Sequence, residues 1–187
     1  MRIIGGNRRG LKLADVGEGD MAAHLRPTSD RVREAIFNLL INGGHGNPVA
    51  GARVLDLFAG TGALGLEALS RGAAEAVFVD DGAKALGLIR ANIAKMRAEG
   101  ETNVLRQNAV RLGANPGAGF GLVFLDPPYG KGLGEAALVA ARKGGWLAPE
   151  AMVVWEEGAA PAVPEGFRQV DQRKYGDTVV TVLRVEG

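Results

Sequence analysis

Apolar and polar positions change their period several times along the chain, and each change marks an expected element. Val32, Ala35, Ile36, Leu39 and Leu40 recur at i, i+3, i+4, i+7 and i+8, which places them on one face of an α-helix. The preceding Arg26-Pro27-Thr28-Ser29-Asp30 is a helix start, because Ser, Thr and Asp side chains accept hydrogen bonds from the unpaired N–H groups of a first turn. This helix is expected to bury its apolar face and to expose Arg31 and Arg33. Upstream, Arg2-Ile3-Ile4-Gly5 and Gly10-Leu11-Lys12-Leu13 read as two short strands of a hairpin whose turn carries Asn7, Arg8 and Arg9.

Beyond a glycine-rich stretch with Pro48, Asn42 to Ala52, the pattern becomes regular. Strand-like runs at Arg53 to Phe58, Ala76 to Val79, Asn103 to Gln107, Leu122 to Leu125 and Met152 to Trp155 alternate with helical patterns at Ala63 to Arg71, Gly82 to Glu99 and Gly134 to Lys143. Such alternation predicts an α/β fold with a parallel, doubly wound sheet. Arg168 to Lys174 and Thr178 to Val185 have only Tyr175-Gly176-Asp177 between them, too short for a crossover, so they are expected to pair as an antiparallel hairpin. The glycine-rich stretch divides an expected N-terminal hairpin and helix, residues 1–45, from a main domain, residues 46–187.

Composition narrows the class. At 187 residues and 47% hydrophobic, the chain suffices for one globular domain with a small appendage. With no cysteine, thiolate metal sites and disulfides are excluded, and the reducing cytoplasm is the expected compartment. His24 and His45 are isolated loop histidines, so no metal site is expected and both are read as solvated. The first residues lack the apolar stretch of a signal peptide, and no segment has the length of a membrane span. The net charge is only +1, yet Arg2, Arg8, Arg9 and Lys12 occur without an intervening acid, and Arg26 and Arg31 follow. A basic cluster of this kind is a candidate for contact with nucleic-acid phosphates.

Two segments carry candidate chemistry. Val54 to Gly65 runs from a strand through Phe58-Ala59-Gly60-Thr61-Gly62 into a helix, and small residues there let backbone approach a ligand at the sheet's carboxyl edge. Asp80 and Asp81 follow at the end of the next strand, at about the 20-residue spacing of a carboxylate that binds ribose hydroxyls. Gly60, Gly62 and Gly65 also fit a dinucleotide fingerprint. Asp56 ahead of them favours instead a cofactor with an ammonium and a sulfonium, S-adenosylmethionine, because a carboxylate attracts those charges and repels pyrophosphate.

The second segment, Asp126-Pro127-Pro128-Tyr129, closes the apolar run Leu122 to Leu125. Exocyclic amines of bases are poor nucleophiles because the nitrogen lone pair is delocalised into the ring, and fixed acceptors for the amine protons redirect it. The Asp126 carboxylate and Pro127 carbonyl are candidate acceptors, with Pro128 stiffening the turn and Tyr129 offering a ring to stack an extruded base. Tyr175 and neighbouring Lys174 are further candidates for RNA contact. Adenine N6, cytosine N4 and a glutamine side chain remain open as targets, as do a noncatalytic RNA-binding role and an NAD-linked oxidoreductase.

Taken together, Arg2-Ile3-Ile4-Gly5-Gly6 with Arg9-Gly10, Arg26-Pro27-Thr28 with Asp30 to Glu34, Asp56 to Gly65, Asp126 to Tyr129 and Lys174-Tyr175-Gly176 resemble the RsmD family of methyltransferases over nearly the whole chain. The resemblance implies a Rossmann-like sheet of seven strands, S-adenosylmethionine as cofactor, and methylation of guanine N2 in small-subunit (16S) ribosomal RNA, usually at guanine 966. It also implies action on an assembled ribosomal particle, and a monomer is expected. By the same resemblance Asp56 and Gly60 to Gly65 line the methionine moiety, Asp80 the ribose, and Asn108 and Ala109 the adenine. One departure is visible. Asp80 stands where the family usually has Glu, a reach shorter by one methylene, and Asp81 is a candidate to share that contact.

Overall fold

The computed structural model describes residues 1–16, 25 and 28–187. His24, Arg26 and Pro27, named for solvation, phosphate contact and helix initiation, lie outside the described residues.

The N-terminal hairpin is present in reduced form. Ile3 N donates to Leu11 O at 2.9 Å and Gly10 N to Ile3 O at 2.8 Å, but the ladder is a single antiparallel bridge, Arg2 to Lys12, around a short 3-10 turn at Gly6–Arg8. Helix α1 is Asp30–Asn42, with Ser29 as its cap accepting from Val32 N at 3.2 Å. Ile36, Leu39 and Leu40 are buried as the periodicity requires, Val32 and Ala35 are half-buried, and Phe37, outside that pattern, is buried beside them. Arg31 is exposed, but Arg33 is not: it is 0% exposed, which corrects the expectation that it faces solvent. Periodicity missed it because its guanidinium has partners from distant segments, the buried Glu67 carboxylate and the Arg2 carbonyl, together with Asp30 Oδ1 at 2.8 Å.

The sheet comprises β1 (Arg53–Leu57), β2 (Glu75–Asp80), β3 (Thr102–Arg106), β4 (Phe120–Leu125), β5 (Leu147–Glu157), β6 (Phe167–Tyr175) and β7 (Thr178–Val185). Its order is β3-β2-β1-β4-β5-β7-β6, with β1 to β5 parallel and β7 antiparallel to both β5 and β6. This is the expected seven-stranded, mainly parallel α/β sheet ending in an antiparallel hairpin. Helices α2 (Ala63–Ser70), α3 (Ala83–Met96) and α4 (Leu133–Lys143) fill the crossovers from β1 to β2, β2 to β3 and β4 to β5, while β3 reaches β4 through a short 3-10 turn at Ala109–Arg111.

Because side chains alternate along a strand, each strand feeds two cores. Val54, Phe78, Phe124 and Val154 pack on one face with Ile36, Phe37 and Leu40 of α1, Leu66 of α2 and Ile89 of α3. Leu55, Val77, Val123 and Trp155 pack on the other with Ala137, Leu138 and Ala141 of α4. Ile3 and Leu13 join the first core, so the hairpin and α1 share the packing of the sheet. His45 is not a solvated loop histidine: its Nε2 lies 3.1 Å from Asp171 Oδ2, tying the loop after α1 to β6.

Strand register aligns the carboxyl edge. Leu57 pairs with Val79 on one side and Leu125 on the other, so β1, β2 and β4 end level. Chain order reverses about β1, and the next residues, Phe58, Asp80 and Asp126, emerge together at the carboxyl edge where open α/β sheets hold ligands.

Candidate active site

A cavity of about 510 Å³ opens at that edge. Its floor is the β1 turn, Asp56, Phe58, Ala59, Gly60 and Thr61; one flank is Asp80, Asp81, Gln107, Asn108 and Ala109, and the opposite flank is Asp126, Pro127, Pro128 and Tyr129. The glycine turn and the Asp-Pro-Pro-Tyr turn therefore share one hollow although 60 residues or more separate them along the chain.

The β1 turn is bent to make room. Phe58 has φ +55° and Gly60 φ +60°. Left-handed backbone costs a residue with a Cβ about 1–2 kcal/mol, which the buried strands on either side must offset. Gly60 N donates to Asp80 Oδ2 at 3.0 Å, and Gly82 N to Asp80 Oδ1 at 2.9 Å, so the carboxylate is held by backbone and directed along the cavity wall. Asp81 also lines the cavity, but it is exposed. Asn108 lines the cavity while its Oδ1 accepts from Val110 N at 3.0 Å, which fixes the turn carrying Ala109.

Two of the fingerprint glycines have a different place. Gly62 and Gly65 are not among the cavity-lining residues. A Cβ on Gly65 would lie 2.5 Å from Phe78 Cε1, so this glycine allows α2 to close on the sheet. Gly65 N also donates to Asp56 Oδ2 at 3.0 Å, fixing the carboxylate from the first turn of α2.

Charge is concentrated here. Asp56 is 1% exposed, and burial pushes its pKa well above the usual carboxylate value, with the Gly65 N–H opposing and the nearby Asp126 and Asp80 charges adding to the rise. Burial also raises Asp80, against the Gly82 and Gly60 N–H groups, and Asp81 adds to the rise. Carboxylates that repel one another around a hollow form a site relieved by a cation.

Asp126 receives a hydrogen bond from Thr28 Oγ1 at 3.2 Å across 98 residues of sequence. In the sequence Thr28 reads as part of a helix start and of a segment that carries the family resemblance, with no site role. Periodicity and motifs also leave out Leu25, Lys131 and Leu133, which line the cavity from separate segments with no local motif to mark them, and they give no site role to Leu64 in the cofactor segment or to Gln107 at the end of a strand. Tyr129 has its hydroxyl 3.2 Å from Thr178 Oγ1 at the start of β7.

The basic candidates separate. Arg2, Arg9, Arg31 and Lys174 are exposed. Arg8 is half-buried, with Nε on Met96 O at 3.2 Å and NH2 on Glu101 Oε2 at 3.1 Å, so the fold itself employs its charge. Tyr175 is half-buried against the core that includes Val180 and Val182, and burial raises its hydroxyl pKa. Among the described residues no group of three or more His, Asp or Glu side chains is placed to hold a metal ion, and no helix is long and apolar enough to cross a membrane.

Known proteins resemble this chain in sequence and fold. The family model described as Conserved hypothetical protein 95 matches residues 1–184. The chain is 43% identical over 190 residues to a protein of Escherichia coli (strain K12) named "Ribosomal RNA small subunit methyltransferase D", covering 100% of this chain and 90% of that protein. It is 34% identical over 182 residues to a Haemophilus influenzae protein of the same name, covering 94% of this chain and 89% of that one. The solved structure of the yhhF protein from Escherichia coli superposes with a TM-score of 0.83 at 37% identity, covering 100% of this chain and 98% of that one.

Proposed function

The chain belongs to the RsmD family, described as Conserved hypothetical protein 95, and from that premise we propose that it is an S-adenosylmethionine-dependent methyltransferase acting on small-subunit ribosomal RNA. The finer reading is transfer to the exocyclic N2 amine of a guanine, the position numbered 966 in the family's usual target, on an assembled small-subunit particle. One observation carries it: the Asp56 and Asp80 carboxylates and the Asp126 to Tyr129 turn face a single cavity.

The residues present fit this cofactor. The cavity is large enough for it and brings the Asp56, Asp80 and Asp126 carboxylates together; burial is the main cause that raises Asp56 and Asp80, neighbouring carboxylates add to the rise, and an ammonium and a sulfonium would offset both. S-adenosylmethionine, when bound, supplies a methyl group made electrophilic by the sulfonium. Asp56 and the β1 turn would hold its methionine part, Asp80 its ribose hydroxyls, and Asn108 and Ala109 its adenine. Both Asp80 oxygens already accept backbone N–H bonds, yet each keeps a further lone pair for a hydroxyl.

On the opposite flank the chain positions the amine. The Asp126 carboxylate and the Pro127 carbonyl accept hydrogen bonds from its two N–H groups, which draws the nitrogen lone pair out of conjugation and aims it at the cofactor side of the cavity. Tyr129 supports the base by stacking. An ordinary carboxylate is a weak base, so Asp126 orients the amine first and takes a proton only once nitrogen is tetrahedral and cationic. Exposed Arg2, Arg9, Arg31 and Lys174 supply phosphate contacts that set register without reading sequence.

The test is transfer of labelled methyl from S-adenosylmethionine to small-subunit particles and to their deproteinised RNA, followed by nucleoside digestion. N2-methylguanosine is the expected product. Label in N6-methyladenosine, N4-methylcytidine or protein would replace the guanine assignment, and binding of RNA without transfer would leave a noncatalytic role. Asp126→Ala should retain S-adenosylhomocysteine binding and lose transfer by about 10²-fold or more.

A further inference from the structure

We propose that Thr178, Glu157 and Gly158, contributed by the C-terminal strands and not by the cofactor turn, are positioning residues that fix the Tyr129 ring as the platform for the target base. The proposal rests on the methyltransferase function proposed for the cavity.

Tyr129 lines the cofactor cavity and also a second hollow of about 460 Å³, whose wall includes Gly130, Glu157 and Gly158. The ring is half-buried and borders both hollows, so the contacts made by its hydroxyl and against its edge bear on how it presents its face. Two contacts from the C-terminal half reach the ring, and a third interaction braces the backbone beside it. The hydroxyl lies 3.2 Å from Thr178 Oγ1. Gly158 faces the ring so closely that a Cβ added there would come within 3.0 Å of Tyr129 Cδ2. Glu157 Oε1 accepts from Gly130 N at 3.0 Å and from Gly158 N at 3.1 Å, joining the turn that carries Tyr129 to the strand end that faces it.

Topology explains why these residues meet. β5 runs parallel to β4, so its last residues reach the same carboxyl edge as Asp126. β7 runs antiparallel to β5 and pairs Val179 with Glu157, so its first residue, Thr178, is delivered to that edge as well. A sheet parallel throughout would have brought a strand's end, not its beginning, to Tyr129. The antiparallel terminus thus supplies a support for the base platform from outside the cofactor half of the fold.

The measurement is steady-state methylation of small-subunit particles by full-length variants, alongside calorimetric binding of S-adenosylhomocysteine. Loss of one neutral hydrogen bond on the ring should lower kcat by about three- to tenfold in Thr178→Val and leave cofactor affinity unchanged. Thr178→Ser, which retains the hydroxyl, should restore the rate. Tyr129→Phe should show a similar loss, and the Tyr129→Phe/Thr178→Val double variant should be no slower than either single one, since both remove one contact. Gly158→Ala, at a position without positive φ, should displace the ring and lower kcat with cofactor binding intact. Wild-type rates in Thr178→Val, failure of Thr178→Ser to restore, or multiplying losses in the double variant would each overturn the proposal. A wild-type protein that transfers no methyl to RNA would instead overturn the function on which it rests.

Discussion

Replacing Glu67 should detach the N-terminal segment and cost the fold more than any surface charge. Glu67 lies in α2 and is 0% exposed. Its carboxylate accepts from Ile4 N at 3.0 Å, Gly5 N at 2.9 Å and Arg71 Nε at 2.8 Å, with Arg33 Nε at 3.6 Å. Arg33 is itself 0% exposed, so Glu67→Ala leaves a buried guanidinium with only the partly exposed Asp30 carboxylate as countercharge, and two backbone donors without their acceptor. Removing one partner of a buried ion pair costs about 3–5 kcal/mol, whereas an exposed pair contributes about 0–1 kcal/mol. For a chain of this size each kcal/mol lowers Tm by about 2–4 °C, so the expected drop is roughly 6–20 °C. Arg168 and Glu150, with side chains 54% and 62% exposed, form the internal control, and Glu150→Gln should change Tm by less than about 4 °C. Calorimetry at neutral pH measures both, and limited trypsinolysis after Arg8 and Arg9 reports whether the hairpin has come away. A Glu67→Ala protein within about 1 kcal/mol of wild type, with the hairpin still protected, would refute the assignment of Glu67 as the buried tie.

Two further predictions concern the cofactor turn. Asp56 has a folded pKa above its unfolded value, so its contribution to stability is present below the ordinary carboxylate range near 4 and is lost as pH rises through the raised value. Asp56→Asn keeps an oxygen for Gly65 N and removes the charge; it should raise Tm of the ligand-free protein at neutral pH, flatten its pH dependence above the ordinary carboxylate range, and weaken S-adenosylmethionine binding, and a loss of Tm would contradict this. Gly65→Ala should lose about 1–3 kcal/mol in denaturant titration because its methyl meets Phe78, with S-adenosylhomocysteine affinity changed less than by Gly60→Ala, whose added Cβ meets only Leu25 within 4 Å but whose φ of +60° lies in the cavity turn.

The order of elements was legible because local signals agreed with the global fold. Alternating strands and helices from Arg53 to Trp155, and a connection too short for a crossover at Tyr175 to Asp177, were enough to predict the mainly parallel sheet and its antiparallel end. The two chemistry-bearing turns were legible for a similar reason: each lies within a few residues, directly after an apolar strand, and a strand's end in such a sheet has one possible edge.

Burial of charge was not legible, because it depends on partners that sequence spacing does not reveal. Arg33 follows the exposed Arg31 by two positions and looks like it, yet Glu67 and the Arg2 carbonyl draw it inside. Arg8 looks like a free phosphate ligand, yet Glu101 holds it. Gly62 and Gly65 look like cofactor glycines, yet Gly65 serves the contact with Phe78. Thr28 reaches Asp126, and Thr178 reaches Tyr129, only because separate segments end at one edge. Sequence alone determined which segments are strands, helices and reactive turns, since those follow from periodicity and backbone preference over short range. Tertiary structure alone decided which charged side chains are buried, which are exposed, and which lean on the reactive turns, since desolvation and hydrogen bonding act between atoms close in space and far apart in the chain.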